Sequence, residues 1–129
     1  MNLNPITFEF DNRMLLAQAK GDILFENIVN HYELLFAQPD FFVGIPAIYD
    51  FTKVNKITGN LSYFEQTAQD MGNSNIINKP SYVAIVVSSE NKSMNDVFNA
   101  YSQMMDYTLM NVEIFHGKEK ALEWLEHHK

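Results

Sequence analysis

The run Tyr82-Val83-Ala84-Ile85-Val86-Val87 decides the fold that this sequence predicts. It is rich in β-branched residues, and no charged or amide side chain interrupts it. A continuous apolar run of this length is typical of a parallel strand that helices cover on both faces. We therefore place this run at the centre of an α/β sheet.

The chain after this strand predicts a helix, a short strand and a second helix. Ser93 matches a capping box with Asp96, so the first of these helices is expected to start there. Asn111–Phe115 is the predicted strand, and Lys118–His127 is the predicted last helix. The first helix carries an amphipathic stripe made of Val97, Phe98, Tyr101, Met104 and Met105.

The chain before the central strand opens with a predicted β-hairpin. Ile6–Phe10 alternates apolar and polar residues, Asp11-Asn12 is typical of a turn, and Met14–Ala19 resumes an extended pattern. Asp22 is then a candidate helix cap. It precedes apolar residues at helical spacing, which are Leu24, Ile28, Tyr32, Leu35 and Phe36.

A third strand and another helix complete the pattern. The strand is Ala47–Phe51, Thr52–Asn60 is a predicted polar loop, and Ser62 with Glu65 matches a capping box. The order β-β-α-β-α-β-α-β-α predicts one α/β domain over residues 1–129. We expect a mixed, mostly parallel five-stranded sheet with an N-terminal hairpin and four helices.

The composition disfavours several classes of function. The chain has 129 residues and a net charge of −7, which opposes binding to nucleic acid or to anionic membranes. It has no cysteine, a single arginine and no glycine-rich nucleotide motif, so we expect no disulfide and no cofactor. No apolar run is long enough to span a membrane and no signal peptide is evident, so we expect a cytoplasmic protein.

Three stretches of the chain together resemble a known family. They are the hairpin with Gly21-Asp22 and a helix ending in Ala37–Phe41, the segment Gly44–Thr52, and the ending Val112–Phe115 with Ala121–Leu125. In order and spacing they are similar to the STAS-like superfamily of bacterial anti-sigma-factor antagonists, and within it to the stage II sporulation protein AA-like branch. That branch has also been compared with the lipid-binding CRAL-TRIO fold.

The resemblance implies a regulatory module with a site after the third strand. Regulatory members carry a phosphorylatable serine in an Asp-Ser-Ser-Gly-like motif, which would fall on Thr58–Leu61 when matched from Asp50. The serine position is glycine or asparagine here, so we expect a non-enzymatic interaction module without a kinase switch. Free N–H groups at the start of the second helix are expected to receive an acidic group of a protein partner or a small anion. The predicted contact residues are Asp50, Thr52, Lys53, Lys56, Thr58, Asn60 and Ser62.

The sequence leaves other functions open. Methionines and aromatics near the third helix favour a carrier or sensor of a small apolar ligand. The pairs Phe41-Phe42 and Ile76-Ile77 are each expected to turn one member outward, which favours a homodimer. The predicted apolar contacts are Phe41, Phe42, Tyr107 and Met110, and the last two are expected to be exposed.

An enzyme is the third alternative. It would require Asp50, Glu90 or His116 in a deep pocket with a strongly shifted pKa. No two of the four histidines have the spacing of a helical zinc site, so we expect no metal. His31 is expected on or near the polar face of its helix.

Overall fold

The computed structural model describes residues 4–72, 78–106 and 108–128. Within these ranges five strands and four helices follow one another in the predicted order. They are β1 Ile6–Asp11, β2 Met14–Leu24, α1 Phe25–Phe36, β3 Ala47–Thr58, α2 Leu61–Gly72, β4 Ser81–Val86, α3 Lys92–Met105, β5 Met110–Phe115 and α4 Lys118–His127.

The strands form one sheet in the order β1-β2-β3-β4-β5. β1 and β2 are antiparallel, and all other neighbours are parallel, so the predicted fold class is confirmed. The hairpin turns through Asn12 and Arg13, whose φ angles are 52° and 59°. Two successive residues with positive φ make the turn that matches the twist of a tight hairpin.

β2 and β3 are longer than the sequence predicts. β2 continues past Asp22, so this residue lies in a strand and does not cap α1. The predicted loop 52–60 is mostly strand, because β3 continues to Thr58. The two extensions pair with each other through two register shifts. Ile23 and Val54 are buried, and this burial anchors a ribbon whose other side chains are largely polar.

Asparagine, and not serine, caps α2 and α3. The Oδ1 atom of Asn60 accepts a backbone N–H from the first turn of α2 at 2.9 Å. The Oδ1 atom of Asn91 does the same for α3 at 3.2 Å. The prediction of Ser62 and Ser93 as caps is wrong, because both lie inside the first turn of their helices.

The helices are divided unequally between the two faces of the sheet. α1, α2 and α3 cover one face over the main core, which includes Phe51, Phe64 and Phe98. On the other face, Ala121 and Leu125 of α4 belong to a smaller buried cluster. No helix within the described ranges is long and apolar enough to cross a membrane.

The second face is only partly covered. α4 packs on β3, β4 and β5. Beside it, Thr7, Glu9 and Gln18 project from β1 and β2 and are exposed. The hairpin therefore presents an open polar surface next to α4.

Candidate functional site

A carboxylate from α1 holds the short segment between β3 and α2, which consists of Gly59 and Asn60 and is called the junction below. The Oε1 atom of Glu26 accepts the backbone N–H of Asn60 at 2.7 Å. The side chain of Asn60 in turn accepts the N–H of Tyr63. Of the N–H groups at the start of α2 that the sequence predicts to be free for a partner, the one of Tyr63 is therefore bonded within the chain.

Gly59 is the residue that allows this close approach. Its φ is +102°, and a Cβ atom placed on it would lie 2.6 Å from Oε2 of Glu26. Any side chain at this position would strain the backbone and would require the carboxylate of Glu26 to move. The junction depends on a glycine where the family resemblance places a phosphorylatable serine.

Three large apolar side chains surround the junction and are exposed. Leu24 is 45% exposed, Leu61 is 42% exposed and Tyr63 is 47% exposed. Leu24 is the register partner of Thr58 at the end of β3, and the other two lie in the first turn of α2. We call these three residues the junction patch.

Sequence periodicity did not identify the junction patch. It placed Leu24 on the buried stripe of α1, whereas the side chain lies just before the helix and is exposed. Leu61 and Tyr63 were not singled out. Phe64 and Ala68 form the buried face of α2 and are 2% and 1% exposed. Apolar residues next to that face are the signal that could have revealed the patch.

The predicted contact residues divide between two surfaces. Thr58, Asn60 and Ser62 lie at the junction. Asp50 and Lys53 instead line a polar cleft of about 530 Å³ on the open face of the sheet. The other polar side chains of this polar cleft are Thr7, Glu9, Gln18 and Lys118.

Thr52 and Lys56 make their own local contacts. The hydroxyl and the backbone N–H of Thr52 both donate to Oδ1 of Asp50, at 2.6 and 2.9 Å. The Nζ atom of Lys56 lies 4.0 Å from a carboxylate oxygen of Asp22, and both side chains are mostly exposed. An exposed ion pair of this length contributes little to stability, so Lys56 is only weakly held.

The acid–base candidates make separate contacts. Asp50 accepts hydrogen bonds from Thr52, whereas the Nε2 atom of His116 lies 2.7 Å from Oδ1 of Asn95. Glu90 is exposed, and its backbone N–H donates to the hydroxyl of Ser88. Within the described ranges, no group of three histidine or carboxylate side chains could hold a metal ion.

His31 is fully buried, which contradicts its predicted position on the polar face of α1. Its Nε2 atom lies 2.8 Å from the hydroxyl of Tyr49. Burial lowers the pKa of His31 from 6.5 to about 4 and raises the pKa of Tyr49 well above its ordinary value. The spacing in the sequence could have indicated this burial. His31 follows Ile28 by three residues and precedes Leu35 by four, and both of these apolar residues face the core.

The predicted apolar contacts are mostly drawn inward. Phe41 and Phe42 are both half-buried and pack on the main core, so neither turns fully outward. Met110 is only 7% exposed, and the prediction of its exposure is wrong because it begins β5 and faces that core. Tyr107 and the pair Ile76-Ile77 lie outside the described residues.

Met110 and Phe41 line a small apolar cavity. Its volume is about 50 Å³, and it lies between α1 and the starts of the parallel strands. Tyr32, Phe36 and Tyr49 also line it. This volume exceeds what one water molecule needs but is far below that of a typical ligand pocket.

Comparison with known proteins places this geometry in a structural class. Neither a protein-family model nor a curated protein matches the chain in sequence. One similar solved structure is an uncharacterised DUF3478-family protein from Shewanella loihica PV-4, described as having a SpoIIAA-like fold. It shares 20% identity, covers 97% of each chain and superposes with a TM-score of 0.61. This chain has a SpoIIAA-like fold.

The SpoIIAA-like fold confirms the architecture implied by the sequence resemblance. In this chain, the position after the third strand carries Gly59 and Asn60, and the carboxylate of Glu26 lies against them. A carboxylate of the same chain, that of Glu26, therefore occupies the space beside the junction.

Proposed function

We propose that the protein is a non-enzymatic interaction module of the STAS-like kind, which binds a protein partner through the junction patch. The observation that carries this proposal is the exposure of Leu24, Leu61 and Tyr63 around one junction. Exposed apolar side chains grouped in one place favour an interaction site over a plain solvent-facing surface.

The junction itself supports the proposal, because its geometry is fixed before a partner arrives. The hydrogen bonds from Asn60 to Glu26 and from Tyr63 to Asn60 tie α1, β3 and α2 together. A surface that is ordered in the free protein loses less conformational entropy on binding. Lys56 stands beside it, so the partner is expected to combine an apolar centre with an acidic rim.

Matched aspartate variants test this proposal. Leu61→Asp places a charge in the junction patch, whereas Leu34→Asp places one at a similarly exposed leucine, 49% exposed, on α1. A tagged wild-type protein and Leu34→Asp should retain the same partner from a lysate of the native cell. Leu61→Asp should lose that partner while unfolding at the same urea concentration as Leu34→Asp.

Two results would contradict the proposal. One is the same set of bound proteins for all three forms, and the other is no bound protein for the wild type. Light scattering on the purified chain separates a foreign partner from a second copy. A dimer mass that Leu61→Asp converts to a monomer mass would identify the partner as a second copy.

The apolar cavity supports a second candidate function, the binding of a small apolar ligand. Its lining by Tyr32, Phe36, Phe41 and Met110 is almost entirely apolar. A volume of about 50 Å³ accommodates only a few heavy atoms, so a lipid would need the cavity to expand. Native mass spectrometry of protein purified without detergent tests this, because an added mass favours the carrier and a bare chain opposes it.

A further inference from the structure

An aromatic cleft lies at the end of the sheet opposite the junction. It is formed where β2, β3 and β4 begin, and its volume is about 450 Å³. This volume falls within the range typical of small-molecule sites. The residues that give the cleft its chemistry are Arg13, Phe42, Pro46, Pro80, Tyr82 and His128.

Arg13 supplies the cation of this aromatic cleft. It is the single arginine in a chain with a net charge of −7. Its guanidinium carbon lies 4.6 Å from the ring centroid of Phe42. No acidic side chain of the described residues forms an ion pair with it. The ring of Phe42 therefore positions the guanidinium at the cleft while its N–H donors remain available.

The backbone also directs Arg13 to this place. With Asn12 it forms the hairpin turn, in the left-handed conformation that usually favours glycine at its position. The neighbouring residues Asp11 and Met14 pair with each other. The turn is therefore tightly fixed, and so is the point from which the arginine side chain starts.

A flat aromatic wall stands on the other side of the cleft. The rings of Tyr82 and His128 stack with centroids 4.4 Å apart and an angle of 14° between their planes. Trp124 meets both rings edge-on, at 5.8 and 5.3 Å. These contacts hold the stacked pair in one orientation, which suits packing against a planar or apolar group.

We propose that the aromatic cleft binds a small planar aromatic carboxylate. The guanidinium of Arg13 forms bidentate hydrogen bonds with the carboxylate. The aromatic ring of the ligand packs against the wall of Tyr82 and His128. A single positive charge matches a monoanion. A doubly charged phosphate is disfavoured, because one cation would neutralise only half of its charge on an otherwise acidic protein. This site is separate from the junction patch, so the two proposals stand or fall independently.

Benzoate and its neutral relative benzamide provide the test. Each is titrated into the full chain at about 150 mM salt, where long-range attraction is largely screened, and backbone amide NMR signals are followed. Benzoate should shift the signals of Arg13, Phe42 and Tyr82 and bind about tenfold more tightly than benzamide. Arg13→Gln should reduce benzoate binding to the level of benzamide, and Tyr82→Leu should weaken both.

Lys92→Gln is the matched control for charge. It removes one positive charge from the first turn of α3, near the opposite end of the sheet, and should leave benzoate binding unchanged. The proposal is overturned if benzoate shifts no signal in the aromatic cleft. It is equally overturned if Arg13→Gln and Lys92→Gln bind benzoate alike.

Discussion

The buried His31 makes the stability of this protein depend on pH in a predictable direction. In the folded chain its pKa is about 4, because burial disfavours the charged imidazolium, whereas in the unfolded chain it has the ordinary value of 6.5. Between these two values the unfolded chain binds a proton that the folded chain does not. The stability is therefore fully present above pH 6.5 and is lost as the pH falls towards 4.

The size of this effect follows from the two pKa values. Their difference corresponds to a loss of about 3 kcal/mol in the free energy of unfolding. His31→Phe removes the titrating group and leaves the hydroxyl of Tyr49 without its partner at 2.8 Å. The variant should be about 1–3 kcal/mol less stable than the wild type at pH 7, and equally or more stable at pH 4.

Urea unfolding followed by the fluorescence of Trp124 measures this at several pH values. Carboxylates also titrate in this range, but their contribution cancels when His31→Phe is compared with the wild type. Tyr49→Phe serves as control, since it removes the same hydrogen bond and keeps the histidine, so its difference from the wild type should not vary with pH. A constant difference between His31→Phe and the wild type from pH 7 to 4 would refute the reasoning.

Three further changes should alter the free energy of unfolding in urea. Gly59→Ala should lower it by more than Gly21→Ala does. Both glycines have positive φ, at a cost of about 1–2 kcal/mol for a side chain, but only the Cβ at 59 meets Glu26. Asn60→Ala should lower it by about 1 kcal/mol through loss of the α2 cap, whereas Ser62→Ala should change it by less than about 0.5 kcal/mol. Arg13→Gly should raise it by up to about 1 kcal/mol, because relief of the left-handed backbone outweighs an exposed cation–π contact.

Each of these comparisons has an outcome that would contradict it. Equal losses for Gly59→Ala and Gly21→Ala would mean that the carboxylate of Glu26 moves away at no cost. A larger loss for Ser62→Ala than for Asn60→Ala would restore serine as the cap of α2. A less stable Arg13→Gly would show that the contact with Phe42 is worth more than the strain in the turn.

The sequence predicts the architecture well because burial dominates it. The run around Val83 and Ile85 became β4, an interior strand between β3 and β5, and the predicted helix Lys118–His127 matched α4 at both ends. Both elements bury apolar side chains at the spacing of their own geometry. Periodicity reports this kind of burial directly.

The site was harder to predict because its contacts join residues far apart in the chain. Glu26 and Asn60 are 34 residues apart, and nothing local to either shows that they meet. The extension of β3 is polar and owes its strand conformation to pairing with β2. His31 is polar and was placed near the polar face of α1, but it shares the face of Ile28 and Leu35 and is buried with them.

The order of strands in the sheet has a consequence for how this protein is made. Each strand pairs with the one synthesised just before it, so the sheet can assemble stepwise as the chain leaves the ribosome. The first three helices cover their face as they appear. Ile48, Ala84 and Val86, however, remain in water until α4 has emerged. A nascent chain that pauses before Lys118 therefore exposes an apolar strip that can aggregate. At this stage of synthesis the chain would most need a chaperone.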